Sequence, residues 1–297
     1  MIVKKKSSLL SALVIGLMLI SGLCFSAEVT IQAVPVTDQI YMIAGQGGNI
    51  GLFIGEDGTF LIDDQFAPLT EQILKAIKAV GGQHPKFLIN THYHGDHTGG
   101  NEKLGQGGTL IVSHDNVRER LISGSYIGAF KMSLPPTAKE GLPVITFSKN
   151  INFHLNGDTV IVTHVPHAHT DGDSFIYFQA ANVIHAGDLF FNGFFPFIDV
   201  THGGSLKGMI KGVDKVLRVA DDQTKIISGH GPLGDKQQLA SYREMLGIAY
   251  ERLTKLKAEG KTAEEAAAAK PLADLETTWG NGLFKSDQWI KLIYSGV

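Results

Sequence analysis

From residue 41 onward, apolar and polar positions alternate in short bursts. Residues 41–44, 50–54 and 59–62 are apolar or alternating runs, separated by Gly45-Gln46-Gly47-Gly48-Asn49 and by Gly55-Glu56-Asp57-Gly58. Runs of this length predict strands. The Gly/Asn/Asp spacers predict turns, the second of them a hairpin. Leu69, Ile73, Ile77 and Val80 then recur at helical spacing, and Gly81-Gly82 ends the run, so a helix is predicted over 68–80. Further strands are predicted at 86–89 and 109–112, with a helix over 116–122.

A second block repeats the style. Residues 151–155, 159–165, 174–179, 183–185 and 225–227 read as strands, and 205–219 and 236–256 as helices. Thr262-Ala263-Glu264-Glu265 matches a capping box and predicts one more helix start. Two strand-rich halves, each with helices, predict an α/β (α+β) chain of two packed sheets covered by helices. The pattern alone does not give the strand order.

The beginning of the chain reads differently. Lys4, Lys5 and Lys6 precede a nearly unbroken apolar run over 9–23, then Cys24-Phe25-Ser26-Ala27. This order predicts a signal peptide over 1–26, cleaved after Ser26, leaving a single domain over 27–297. The run is shorter than the ~20 residues a spanning helix needs. A periplasmic or secreted protein is therefore expected, with no stable membrane insertion after cleavage. Lipid attachment at Cys24 is the minor alternative, because Leu23 is large for a lipobox. Cleavage removes the only Cys and leaves a formal charge of −6 over 271 residues. Such a chain has no thiol nucleophile and no thiolate ligand. Its negative charge argues against a general nucleic-acid binder. The 35 glycines exceed the usual ~7% share and predict many turns and close backbone approaches.

The densest chemistry is Asn90-Thr91-His92-Tyr93-His94-Gly95-Asp96-His97-Thr98-Gly99-Gly100, directly after an apolar strand. Three imidazoles and a carboxylate within six residues make a metal-ligand set. On extended backbone His92 and His94 point to one side. A turn at Gly95 lets Asp96 and His97 aim at a second ion. Three later loops each follow a predicted strand and carry further donors: Pro166-His167-Ala168-His169-Thr170-Asp171, Ala186-Gly187-Asp188 and Ser228-Gly229-His230.

The order H-x-H-x-D-H, then His-Thr, Gly-Asp and Gly-His resembles the metallo-β-lactamase fold superfamily of hydrolases, over nearly all of the mature chain. The resemblance implies a four-layer αββα sandwich with two zinc ions per chain in a groove between the sheet edges. It implies His92, His94 and His169 on the first zinc, Asp96, His97 and His230 on the second, and Asp188 bridging both. His169 precedes Thr-Asp-Gly as the superfamily's third His does; His167 is the alternative. Asp63 matches the carboxylate that supports the first loop from beneath, with Asp64 as the residue it can be confused with. Asp96 is the expected catalytic group, orienting a zinc-activated water and passing on its proton. The implied reaction is hydrolysis of an ester, thioester, lactone or β-lactam in a small-molecule substrate.

A bridging Asp resembles the glyoxalase II and lactonase ligand set more than that of zinc β-lactamases, whereas the export signal points towards antibiotics or other periplasmic substrates. A β-lactamase proper and a mononuclear iron sulfur dioxygenase on the same fold are the alternatives. Phe194, in the crowded segment Phe190-Phe191-Asn192-Gly193-Phe194-Phe195-Pro196-Phe197, is a candidate substrate contact, as is His202. His114 reads as a helix cap and His185 as a residue buried beside the site. Tyr126, Phe130 and Met132 read as a lid over the groove or as a dimer contact.

Overall fold

The computed structural model describes residues 29–297. The predicted signal peptide and Cys24 lie outside the described residues. In chain order, the strands of the first half are β1 (Gln32–Pro35), β2 (Ile40–Ala44), β3 (Ile50–Gly55), β4 (Gly58–Ile62), β5 (Phe87–Ile89) and β6 (Leu110–His114). A hairpin follows, β7 (Ser125–Ile127) and β8 (Met132–Leu134), and then β9 (Ile145–Phe147). The hairpin pairs only with itself; the other seven form one sheet in the order β1-β2-β3-β4-β5-β6-β9. Strands β10 (Asn150–Leu155), β11 (Asp158–His164), β12 (Ser174–Phe178), β13 (Val183–His185), β14 (Lys225–Ile227) and β15 (Gly234–Asp235) form the second sheet in sequence order.

Strand alternation explains the layering. In β4, Phe60 and Ile62 face the second sheet and join Val160, Val162, Ile176 and Phe178 in one buried cluster. Leu61, between them, faces the other way and packs with Ile73 and Ile77. Those two isoleucines sit on helix α1 (Thr70–Ala79). In the second sheet Phe175, Ile184 and Ile226 point outward into a cluster with Val213, Leu246 and Trp289. These belong to the helices Leu206–Val219, Lys236–Ala258 and Ser286–Ile293. The result is helices, sheet, sheet, helices, the four-layer αββα sandwich expected from the sequence.

Local chemistry places the boundaries. Gly58 has φ +125°, a conformation L side chains avoid, and pairs with Gly55 in the predicted hairpin, with Glu56 and Asp57 at its turn. Asp235 and Thr262 cap their helices through reciprocal boxes with Gln238 and Glu265. The His114 ring accepts from the Asn116 amide at the start of the helix Asp115–Ser123, the capping role expected for it.

Candidate metal centre

Each donor-bearing loop follows the C-terminal end of a strand, and the two sheets bring these ends together. His92 and His94 follow β5. His94 keeps extended backbone (φ −64°, ψ 148°), and a single helical turn, Gly95–Thr98, carries Asp96 and His97 back towards it. The Asn90 and Asn101 side-chain amides pair with each other and pin this loop. His169 lies between β11 and β12, Asp188 just beyond β13 and His230 between β14 and β15. His167, the alternative ligand, is exposed, and its Nδ1 lies beside the Gly203 carbonyl.

Ligand atoms of His92, His94, His169 and Asp188 lie within 4.8 Å of one another, as do those of Asp96, His97 and His230. Asp188 stands between the groups. Its Oδ2 is 3.3 Å from His169 Nε2 and 3.8 Å from His92 Nε2. Its Oδ1 is 3.2 Å from His97 Nε2 and 3.4 Å from His230 Nε2. Asp96 Oδ2 lies 3.3 Å from His230 Nε2 and 3.6 Å from His97 Nε2.

The far sides of the rings decide what the near sides present. His94 Nε2 faces the Asp199 carboxylate at 3.0 Å, and His97 Nδ1 faces Asp63 at 2.7 Å. His169 Nδ1 faces the Phe197 carbonyl at 2.8 Å. These partners only accept, so each of those ring nitrogens carries the proton. The opposite nitrogens then offer lone pairs to the centre. His94 Nδ1 lies 2.8 Å from His169 Nε2 and 3.0 Å from His92 Nε2. Lone pairs so close repel unless a cation lies between them. Asp188 Oδ1 is buried without a hydrogen-bond donor. The donor set therefore fits metal ions held by nitrogen and oxygen ligands.

Charge follows the same division. Burial lowers the His92 and His169 pKa, the latter to about 4. Burial also opposes charge on His97 and His230. There the nearby carboxylates, Asp188 foremost, outweigh it, lifting His97 well above its usual value and His230 to about 9. Burial would raise the Asp188 carboxyl, but His230, His97 and His169 hold it well below the carboxylate range.

Asp63 is fully buried with φ +63° and accepts from the Thr91 amide, the Thr91 hydroxyl and the His97 ring. Its neighbour Asp64 instead accepts from the Gly100 amide, which separates the two candidates. Backbone approaches closely at two glycines: a methyl on Gly48 would overlap the His97 ring, and one on Gly229 would overlap Asp188 Oδ1. His185, buried as expected, donates from Nε2 to the Asn49 carbonyl and accepts from the Gly187 amide, tying the Asp188 turn to the opposite sheet.

Phe194 lines the cavity above the centre. His202 does not. Its Nδ1 lies 2.8 Å from Asp199 Oδ2, on the far side of His94, because the Asp199 carboxylate draws it away from the groove. The sequence reading missed Asp199, which also accepts from the Tyr93 hydroxyl at 2.6 Å. Asp199→Ala should leave His94 without the acceptor that fixes its ring. Loss of such a partner typically costs 10–100-fold in metal affinity or activity, measurable by metal titration against a competing chelator. Unchanged affinity and rate would rule out this role.

The family model described as the Metallo-beta-lactamase superfamily matches residues 44–232. A relative from Bacillus subtilis (strain 168), described as the probable metallo-hydrolase YqgX, is 26% identical over 159 residues, covering 52% of this chain and 72% of that protein. Among solved structures, a metallo-beta-lactamase from Cronobacter sakazakii superposes with TM-score 0.63 at 18% identity, covering 78% of this chain and 96% of that one. The sec-alkylsulfatase Pisa1 from Pseudomonas sp. gives 0.66 at 17% identity over 89% of this chain and 50% of its own. With the matched region holding every donor from His92 to His230, the chain belongs to the metallo-beta-lactamase superfamily.

Proposed function

We propose that the chain is an exported binuclear zinc hydrolase that cleaves a small-molecule ester, thioester, lactone or β-lactam. The observation that carries the reading is Asp188, whose two oxygens face two separate donor groups. His92, His94, His169 and Asp188 Oδ2 would hold one ion, and Asp96, His97, His230 and Asp188 Oδ1 the other. Bound there, paired zinc ions would bring the pKa of water to about 7 and polarise the oxygen of the electrophile.

The chain's own residues supply the rest. Asp96 keeps a quarter of its side chain exposed to the cavity, so its carboxylate can accept a hydrogen bond from the attacking water and take up its proton. Asp63 and Asp199 hold the rings of His97 and His94 in one tautomer. Phe191 and Phe197 keep water away from the flanks of the centre. Similarity to the Bacillus relative, a probable metallo-hydrolase, supports a hydrolase. Lys4 to Lys6 and the apolar run after them support export.

The test is metal content followed by turnover of nitrocefin, an acyl-homoserine lactone, a glutathione thioester and a phosphodiester. Two zincs per chain are expected, with hydrolysis of at least one carbonyl substrate that chelation abolishes and zinc restores. One iron per chain, or zinc-loaded protein inert towards all three carbonyl compounds, would overturn the proposal.

A further inference from the structure

The cavity over the centre has a volume of about 560 Å³, within the 300–1,000 Å³ range of small-molecule sites. Its floor is His94, Asp96, Asp188 and His230. Every other lining residue is apolar or glycine. Phe191, Phe194 and Phe197 form a wall, Gly282 lies against Phe194, and Phe130 and Met132 of the β7–β8 hairpin with Leu283 complete the lining. Among these described residues there is no Lys, Arg, Ser, Thr or amide side chain. A bound molecule can thus meet polar side chains only at its reacting end.

The rim extends this surface outward. Phe130 is 43% exposed, Met132 36% and Leu283 56%. Phe130 packs edge-on against Phe197 at 4.9 Å between centroids, so rim and wall are continuous. A charged tail laid along this wall would lose water and gain no partner. An alkyl tail would remove apolar area from water on both sides.

Resting on the hydrolase reading, we propose that the substrate is a carboxylic ester, thioester or lactone with a long, uncharged aliphatic acyl chain. The reacting carbonyl lies over the floor and the chain runs between the Phe194 wall and the β7–β8 hairpin. Phe130 is a specificity-determining contact for the chain.

The test uses zinc-loaded protein and p-nitrophenyl esters from acetate to octanoate, with one chain ending in a carboxylate. The kcat/KM should rise about fourfold per methylene, the equivalent of ~0.8 kcal/mol. The carboxylate-ended ester should fall on the order of 100-fold below its neutral counterpart. Phe130→Ala should lower the octanoate-to-acetate ratio about tenfold. Leu110→Ala, exposed at the far end of β6, should leave the ratio unchanged.

A readout without turnover accompanies this. Chelator-treated protein should bind the neutral fluorophore N-phenyl-1-naphthylamine and release it to methyl octanoate but not to methyl acetate. Phe130→Ala should weaken that binding. Hydrolysis at rates independent of chain length overturns the acyl-chain inference and leaves the hydrolase reading standing. Protein that turns over nitrocefin but hydrolyses no ester overturns the substrate class alone; protein that binds the probe but is inert towards the esters and towards nitrocefin, the homoserine lactone and the thioester overturns the hydrolase reading as well.

Discussion

Asp188→Ala is expected to lower kcat/KM by more than about 100-fold, beyond the usual cost of losing a partner that merely orients a ligand, and to leave fewer than two metals per chain. Asp188 is 5% exposed and sits among four ring nitrogens, those of His92, His169, His97 and His230. Among the described residues no other carboxylate faces both donor groups; Asp96 reaches His97 and His230. Alanine leaves three imidazoles on one side and two with Asp96 on the other, and takes out the negative charge that would balance two cations. Metal analysis and steady-state kinetics on the same preparation check this. A variant with full metal content and full rate would sink the bridging role. Asp188→Asn, which keeps the shape and removes the charge, separates space filling from electrostatics.

Asp63→Ala is expected to destabilise the metal-free protein by about 3–5 kcal/mol, the usual result of removing one member of a buried, charge-assisted pair. That is a large fraction of a typical domain's stability. The carboxylate accepts from three donors; the Thr91 amide and the His97 ring would be left buried and unpaired, while the Thr91 hydroxyl keeps His92 Nδ1 as a neighbour at 3.0 Å. The backbone adds to the loss, because φ +63° suits Asp or Asn better than alanine. Urea unfolding in the presence of chelator measures this apart from metal binding. Asp63→Asn should lose less, since it tolerates the backbone and can still accept from Thr91. A midpoint shift equivalent to under about 1 kcal/mol for the alanine variant would show that Thr91 and His97 find other partners.

The parts of the site that sequence reading reached had either local density or order along the chain. H-x-H-x-D-H is compact, and the three later loops each follow an apolar run read as a strand. Asp199 had neither. It sits in a segment broken by Gly193 and Pro196, with no spacing relation to His94, and only the folded chain brings it to 3.0 Å from that ring. Asn49 was likewise invisible, though its amide donates to the Ser228 and Gly231 carbonyls and so holds the loop that carries His230.

The fold shows the same limit. Alternating runs of five or six residues were legible, as were capped helices. Strands β7, β8 and β9 have three residues each and mix apolar with hydroxyl side chains, Ser125-Tyr126-Ile127, Met132-Ser133-Leu134 and Ile145-Thr146-Phe147, so they lack the adjacent aliphatic pair that marks the equally short β13 and β14. The helix Ser286–Ile293 was also missed, although its Trp289 is fully buried and stacks on Phe195 at 4.6 Å. Tyr126, Phe130 and Met132, read as a lid or a dimer contact, lie in the β7–β8 hairpin, from which Phe130 and Met132 line the cavity.

The seven donors divide four and three between the sheets, the first four before residue 100 and the last at position 230. While the chain is being synthesised, the early histidines can hold an ion only loosely, with most of its coordination left to water. Tight capture waits for the later loops that carry His169, Asp188 and His230 and for the two sheets to dock. Metal retention is therefore a sensor of finished assembly: a truncated or misdocked chain would surrender its ions to any competing chelator.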